Sequence, residues 1–187
     1  MRAQIFTLAN QFTLLRLALV PFFVLAVLDG RYGWALALLV AAGLSDFLDG
    51  LLARWLKQRT PLGSYLDPIA DKLLLSTSFV VLAVAHNVPW TLTILVLSRD
   101  ILIVAVAAVV IIGAGFRPFP PSVLGKACTT AQIVAVFVVV LEEVAPSDWL
   151  LVFKEATLWI TAALTVLSGL HYAYRTGRML PGIHDKH

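Results

Sequence analysis

Apolar residues run through this chain in long stretches separated by short polar breaks. Six stretches can be marked, at roughly 11–28, 33–56, 65–85, 89–112, 123–141 and 150–173. About 20 apolar residues suffice to cross the hydrocarbon of a bilayer as a helix. The breaks carry residues that stop or turn helices: Asp29-Gly30, Thr60-Pro61-Leu62-Gly63, Asn87-Val88-Pro89, Gly113 to Pro121, and Ala145-Pro146-Ser147-Asp148. In lipid every backbone polar group must be satisfied within its own segment, which selects helices over open strands. The pattern predicts an all-α polytopic membrane protein, a bundle of six transmembrane helices with residues 1–187 as a single domain. The third helix is expected to begin near Ser64, after a turn made by Pro61 and Gly63. Residues 1–9 are expected to lie along the interface as a short amphipathic helix.

Composition supports the membrane reading. Of 187 residues, 60% are hydrophobic and 13% charged, with mean hydropathy +0.90. A soluble domain averages about 25% charged residues. The first apolar run competes with a signal peptide, but Asp29-Gly30-Arg31 has no small-residue cleavage pattern and Arg16 lies inside the run. It reads as a retained helix. The single cysteine, Cys128, excludes an intramolecular disulfide and reads as a small buried hydrophobe.

The net charge of +3 is modest, and no nucleic-acid partner is expected. Its placement says more. Arg2, then Lys57 and Arg59, then Arg117 and Lys126, then Arg175, Arg178 and Lys186 fall at alternate ends of the stretches. The other breaks are poor in base: Asp29 with Arg31, the Asn87 region, and Glu142, Glu143 and Asp148. This places both termini and the 57–63 break in the cytoplasm. Trp34, Trp55, Trp90, Trp149 and Trp159 read as interface anchors.

Against this background Asp46, Asp49, Asp67 and Asp71 stand out, four carboxylates within 26 residues of oily sequence. Asp46 and Asp49 are three apart and share a helix face, which Gly50, Ala53 and Arg54 continue. Asp67 and Asp71 are four apart on the next helix. Two antiparallel helices joined by a short turn would set the pairs opposite each other. A charged residue at the centre of a membrane helix costs about 2.5–3.5 kcal/mol on insertion scales. The cluster therefore takes up protons or cations. Carboxylates are hard oxygen ligands suited to Mg²⁺, Mn²⁺ or Ca²⁺. Four could bridge two ions, the arrangement that clamps a phosphoryl group under attack. No His or Cys lies in the cluster, which argues against zinc. Simple pairing with Arg54, Lys57, Arg59 and Lys72 is the bland alternative, and it gives no account of two facing stripes with small residues between them.

The string Asp46-x-x-Asp49-Gly50-x-x-Ala53-Arg54, then Gly63-x-x-x-Asp67-x-x-x-Asp71, resembles the signature of the CDP-alcohol phosphatidyltransferases. Asn10-x-x-Thr13-Leu14-Leu15-Arg16 is similar to the N-terminal segment of family members. The resemblance implies two divalent cations, Mg²⁺ or Mn²⁺, on Asp46, Asp49 and Asp67 with Asp71 completing the second site. It implies that Asp71 is also the general base for the acceptor hydroxyl. It puts Gly50, Ala53, Arg54 and Gly63 around CDP. Asn10 and Thr13 are then either helix caps or nucleotide contacts. The implied reaction is attack of an alcohol on CDP-diacylglycerol with release of CMP, by a homodimer in a membrane, the bacterial inner membrane being expected, with the active site on the cytoplasmic side.

Other polar residues bear on the acceptor. Arg16 is read either as snorkelling to the interface or as a partner for the nucleotide or an aspartate. Arg99 and Asp100 lie mid-segment, about 100° apart on the helix, and are expected to pair poorly with each other. By resemblance to the glycerol-phosphate branch, Arg99 and Lys126 would bind the acceptor's phosphate. Lys72 is expected to snorkel beside Asp71, His171 to be a packed interfacial residue, and Arg175 and Arg178 to be positive-inside charges. The strings Leu124-Gly125-Lys126 and Ser168-Gly169-Leu170-His171-Tyr172 are most similar to phosphatidylglycerophosphate synthases and eukaryotic-type cardiolipin synthases. Many of the former carry Arg-Glu where this chain has Arg99-Asp100, and a further Arg where it has Ala107. Glycerol 3-phosphate is the expected acceptor, with phosphatidylglycerol the alternative. A cation channel or transporter is the rival from another class. It predicts acidic residues along a whole pore, whereas the outer halves of the helices are expected to carry none.

Overall fold

The computed structural model describes the backbone of residues 8–56, 61–114 and 123–179, and the side chains of 15–45, 72–105 and 123–172. Among the described residues the chain forms six helices and no strand: α1 (Leu8–Leu28), α2 (Tyr32–Leu56), α3 (Pro61–Val84), α4 (Trp90–Ala114), α5 (Val123–Val144) and α6 (Asp148–Met179). The expected six stretches are all present, with shifted borders. Pro61 and Gly63 do not turn the chain: Pro61 opens α3 and Gly63 lies in its first turn. A first-turn proline sacrifices no helical hydrogen bond, because that N–H has no intrahelical partner anyway. Most of the interfacial segment expected at 1–9 lies outside the described residues.

Helix pairs α1–α2, α3–α4 and α5–α6 are joined by tight corners at one end of the bundle. The first two corners are built alike. Gly30 takes φ 69°, with Arg31 N–H bonded to the carbonyl of Ala26 (2.8 Å) and Gly30 N–H to that of Val27 (3.0 Å). His86 takes φ 63°, with Asn87 N–H on Leu82 (2.9 Å) and His86 N–H on Ala83 (3.1 Å). Both are Schellman caps, which satisfy the last carbonyls of a helix through one left-handed residue. At the third corner Asp148 sits in the first turn of α6, where a carboxylate favours the helix dipole.

Side chains bind the three corners together. The Tyr32 hydroxyl donates to Asn87 Oδ1 (3.0 Å), and Asn87 Nδ2 donates to Glu143 Oε1. Lys154 donates to Glu142 Oε2 at 2.7 Å, with Glu143 Oε1 at 3.9 Å. Here an expectation fails. Glu142 and Glu143 belong to the last turn of α5, so this end does hold acids. They are compensated by a lysine and an amide, rather than arrayed as a row of ion sites.

The apolar core fills the same half of the bundle. Phe23 and Val27 of α1, Phe79 and Leu82 of α3, Val96 of α4, and Val139 and Val140 of α5 are all buried. Helix α1 packs against both α2 and α3, α5 against α6 and α2, and α4 against α6. Along α6 a line of hydroxyls faces inward: Thr157, Thr161, Thr165 and Ser168 are buried at spacings of four, four and three. Thr161 Oγ1 donates to the carbonyl of Ala131 (3.2 Å), and Thr165 Oγ1 lies 3.5 Å from Cys128 Sγ. Small polar residues let helix backbones approach closely where no water drives association. Cys128 is wholly buried, as its apolar surroundings predicted.

Two helices are long and apolar enough to cross a membrane among the described residues, Val123–Val144 (mean hydropathy 1.9) and Asp148–Tyr172 (1.6). Shorter apolar runs occupy Leu15–Leu28, Tyr32–Ser45 and Lys72–Val84. Trp34, Trp90, Trp149 and Trp159 are exposed; the first three stand in the first turn of their helices, where an interface anchor belongs, whereas Trp159 lies well inside the apolar span of α6. Trp55 lies outside the described side chains.

Candidate active site

The half of the bundle opposite the corners is where the polar residues gather. It is formed by the start of α1, the end of α2, the start of α3, the second half of α4, the start of α5 and the end of α6. Asp46, Asp49, Gly50, Ala53 and Arg54 all lie within α2, and Gly63, Asp67 and Asp71 within α3. Helical backbone at these positions puts Asp46 and Asp49, and likewise Asp67 and Asp71, within one turn of each other. Their side chains lie outside the described residues, as do those of Asn10 and Thr13. Helix α1 begins at Leu8, so Asn10 and Thr13 sit inside it and not at its cap. Among the described side chains no group of three or more His, Cys, Asp or Glu could hold a metal.

Arg16, of α1, is 2% exposed, so it does not snorkel outward. It borders a cavity of about 150 Å³ between α1, α2, α3 and α5, with Ala42, Gly43, Ser78, Thr129 and Phe137 among its walls. The hydroxyls there are spent locally: Ser78 donates to the carbonyl of Leu74 (2.7 Å) and Thr129 to that of Gly125 (3.1 Å). The cavity is mostly apolar, and Arg16 is the one charged residue among its described walls.

The sharpest feature of the described site joins three helices. Asp100 Oδ1 accepts from Lys72 Nζ of α3 at 2.5 Å and from Arg99 Nη1 at 2.8 Å. Arg99 Nη2 then donates to Ser168 Oγ of α6 at 3.0 Å. Arg99 and Asp100 are buried, and Ser168 is fully so. This overturns the expectation that Arg99 and Asp100 pair poorly. The 100° between neighbours describes where side chains leave the helix, and a guanidinium on a three-carbon stem curls back across that angle. Burial makes the pairing worthwhile, since an uncompensated charge there is costly. Lys72 does not simply snorkel either: its ammonium is held by Asp100.

Lys126 is exposed in the first turns of α5, and no hydrogen bond joins it to Arg99 among the described residues. His171 is exposed, not packed. Ser168 was missed as a site residue. Its signal was present in the spacing of Thr157, Thr161, Thr165 and Ser168, which marks one face of α6 as polar within an apolar helix.

Comparison with known proteins identifies the family. Residues 6–167 match the model of the CDP-alcohol phosphatidyltransferase family. The chain is 38% identical to a probable phosphatidylglycerophosphate synthase of Mycobacterium tuberculosis, over 97% of its own length and 87% of the relative's. It is 31% identical to the CDP-diacylglycerol–glycerol-3-phosphate 3-phosphatidyltransferase of Bacillus subtilis, over 89% and 93%. It is 34% identical to the human CMP-forming cardiolipin synthase, over 92% of this chain and 62% of that one. Enzymes of this family are membrane proteins and generally depend on divalent metal ions. With its signature carried on two consecutive helices and most of its length matching the family model, the chain belongs to the CDP-alcohol phosphatidyltransferase family and is an enzyme of that class.

Proposed function

We propose that the protein transfers a phosphatidyl group from CDP-diacylglycerol to glycerol 3-phosphate, releasing CMP. The observation that carries the acceptor is coverage: the relatives named for the glycerol 3-phosphate reaction align along nearly their whole length. The second reading, phosphatidylglycerol as acceptor, is favoured by Asp100. Its carboxylate offsets part of the positive charge that a phosphomonoester dianion would want.

Asp46, Asp49, Asp67 and Asp71 are proposed to hold two Mg²⁺ or Mn²⁺ ions. The donor set fits, since all four are hard oxygen ligands carried on helical turns of α2 and α3. Bound there, the ions would neutralise the diphosphate and polarise the phosphorus under attack. Gly50 and Ala53, small residues of α2, are assigned to the nucleotide pocket on the family signature, together with Gly63, Asn10 and Thr13, and Arg54 is assigned to the phosphates. Asp71 takes the proton of the acceptor hydroxyl. The new bond runs from that oxygen to the phosphatidyl phosphorus, and the bond to the CMP oxygen breaks, its electrons leaving with CMP. A carboxylate is a weak base for an alcohol, so Asp71 works through placement. Lys126 and Arg99 belong to the acceptor side, Arg99 from behind Asp100.

The proposed setting is a single domain of six membrane-spanning helices, a homodimer in a bacterial inner membrane, with both termini and the site facing the cytoplasm. The end opposite the corners then meets the nucleotide, and the alternation of basic residues supports that orientation. The test is an acceptor screen. CDP-diacylglycerol is supplied with glycerol 3-phosphate, phosphatidylglycerol, inositol phosphate or serine, and CMP is followed. Release with glycerol 3-phosphate alone is expected. Release with none of them, by folded protein with Mg²⁺ or Mn²⁺ present, would end the proposal.

A further inference from the structure

The Lys72–Asp100–Arg99–Ser168 chain has one open end. The Lys72 side chain is 37% exposed, those of Asp100 and Arg99 are 9% and 5%, and Ser168 is completely buried. Arg99 is committed at both terminal nitrogens, to Asp100 and to Ser168, and its buried Nε has no hydrogen-bond partner. It cannot swing toward a ligand without breaking both bonds. Lys72 is placed differently. An ammonium has three donors, and one is directed at Asp100.

Charge explains why the chain contains both cations. Lys72 with Asp100 alone would be neutral and would have no net pull on an anion. Arg99 on the same carboxylate oxygen restores one net positive charge to the cluster. That charge is delivered at Lys72, the one member of the four that is not buried. A lysine in an apolar segment, held from behind and open in front, is a functional group by position.

The geometry points to Lys72 as the residue that receives the phosphate of the acceptor, with Asp100, Arg99 and Ser168 as positioning residues behind it. This rests on the reading of the protein as a phosphatidyltransferase, and deepens it. Lys72 directly follows Asp71, the proposed base. Neighbouring positions leave a helix about 100° apart, so an acceptor whose phosphate is held at Lys72 would have to bridge to that base with a hydroxyl of the same glycerol. The shared chemistry is a phosphate oxyanion borne by glycerol, as a free phosphomonoester or as the diester of a lipid headgroup. Asp100 tempers the site toward a singly compensated anion, while Arg99 prevents it from being silenced altogether.

The test uses the full-length protein in detergent with Mg²⁺ or Mn²⁺. Lys72→Met removes the charge and keeps the stem, Lys72→Arg keeps the charge, and Lys72→Gln serves if the methionine variant does not fold. CMP release is measured against glycerol 3-phosphate and against phosphatidylglycerol at saturating CDP-diacylglycerol, and then against CDP-diacylglycerol. Loss of Lys72 is expected to raise KM for the phosphate-bearing acceptor by about tenfold or more. KM for CDP-diacylglycerol and the melting temperature should hold, and Lys72→Arg should restore most of the loss. Which acceptor suffers tells the phosphomonoester from the lipid diester. An unchanged acceptor KM, or an equal rise for both substrates, overturns the assignment.

A separate readout needs no turnover. Glycerol 3-phosphate or phosphatidylglycerol alone should raise the melting temperature of the wild type and not that of Lys72→Met. If the wild type releases no CMP with either acceptor, the functional reading falls, and this shift still decides the role of Lys72. A wild type that neither acceptor stabilises overturns it.

Discussion

Lys154 and Glu142 meet across the α5–α6 corner at 2.7 Å, each with only about a tenth of its side chain exposed. Glu143, which Asn87 holds from the α3–α4 corner, stands 3.9 Å from the same ammonium. Removing one partner of a buried pair strands the other charge, at about 3–5 kcal/mol. Lys154→Met should therefore lower the melting temperature in detergent sharply. Adding Glu142→Gln should recover part of that loss, measured as a double-variant cycle. Activity per folded molecule should hold, because the pair sits at the end opposite the aspartates.

His86 occupies a left-handed position that costs most L-residues about 1–2 kcal/mol. Glycine takes the same position in the matching cap at Gly30. His86→Gly is expected to raise stability by up to about 1 kcal/mol, and Gly30→Ala to lower it by a similar amount. The space around Gly30 would admit a Cβ, so the loss at that site would be conformational and not steric. Paired thermal melts check both.

Thr161 sits fully buried where α6 crosses α5, with its hydroxyl on the carbonyl of Ala131. Thr161→Val keeps the shape and loses one interhelical hydrogen bond, worth about 0.6 kcal/mol in membrane helices. Thr161→Leu adds volume at a close approach and should cost about 1–3 kcal/mol. Melting temperatures that rank the two variants the other way would contradict the packing described for this seam.

Asp71→Asn is expected to leave the protein folded and abolish CMP release, by a factor of at least about 10² if the base is lost. Stripping divalent ions with a chelator should stop release in the wild type, and Mg²⁺ or Mn²⁺ should restore it. Near-normal turnover by the asparagine variant would remove Asp71 from the role of base.

The helix count and the location of the polar half were legible in the sequence, because an apolar run of spanning length has one structural solution. Local exceptions were harder. Pro61 reads as a breaker in a list of residue types, yet as the first residue of a helix it breaks nothing. Glu142 and Glu143 read as loop acids because charge at the end of an apolar run suggests its boundary. Their partner Lys154 lies 12 positions on, and only the folded corner brings it back. Arg99 and Asp100 were judged by helical angle, when reach and burial decide the contact. Ser168 stands 69 positions from the arginine it holds, a separation no local pattern encodes. The two aspartate pairs stand out in the sequence because their spacing is short and their chemistry is expensive in an apolar setting, and helical backbone sets each pair within about one turn, while their side chains lie outside the described residues.

The corner end has a consequence for how the molecule meets a protease. Nicking enzymes need a stretch of chain that can be pulled out and extended, and loop tips normally provide it. Here the turns at Asp29–Arg31 and Ala85–Val88 are each closed by their own backbone bonds. Tyr32, Asn87 and Glu143 then tether those turns to each other and to the third. Cutting any of them requires unravelling a helix end. Limited proteolysis of intact vesicles from that side should leave 15–28 joined to 32–45, 72–84 joined to 90–105, and 123–144 joined to 148–172, so that this face endures as a sealed cap.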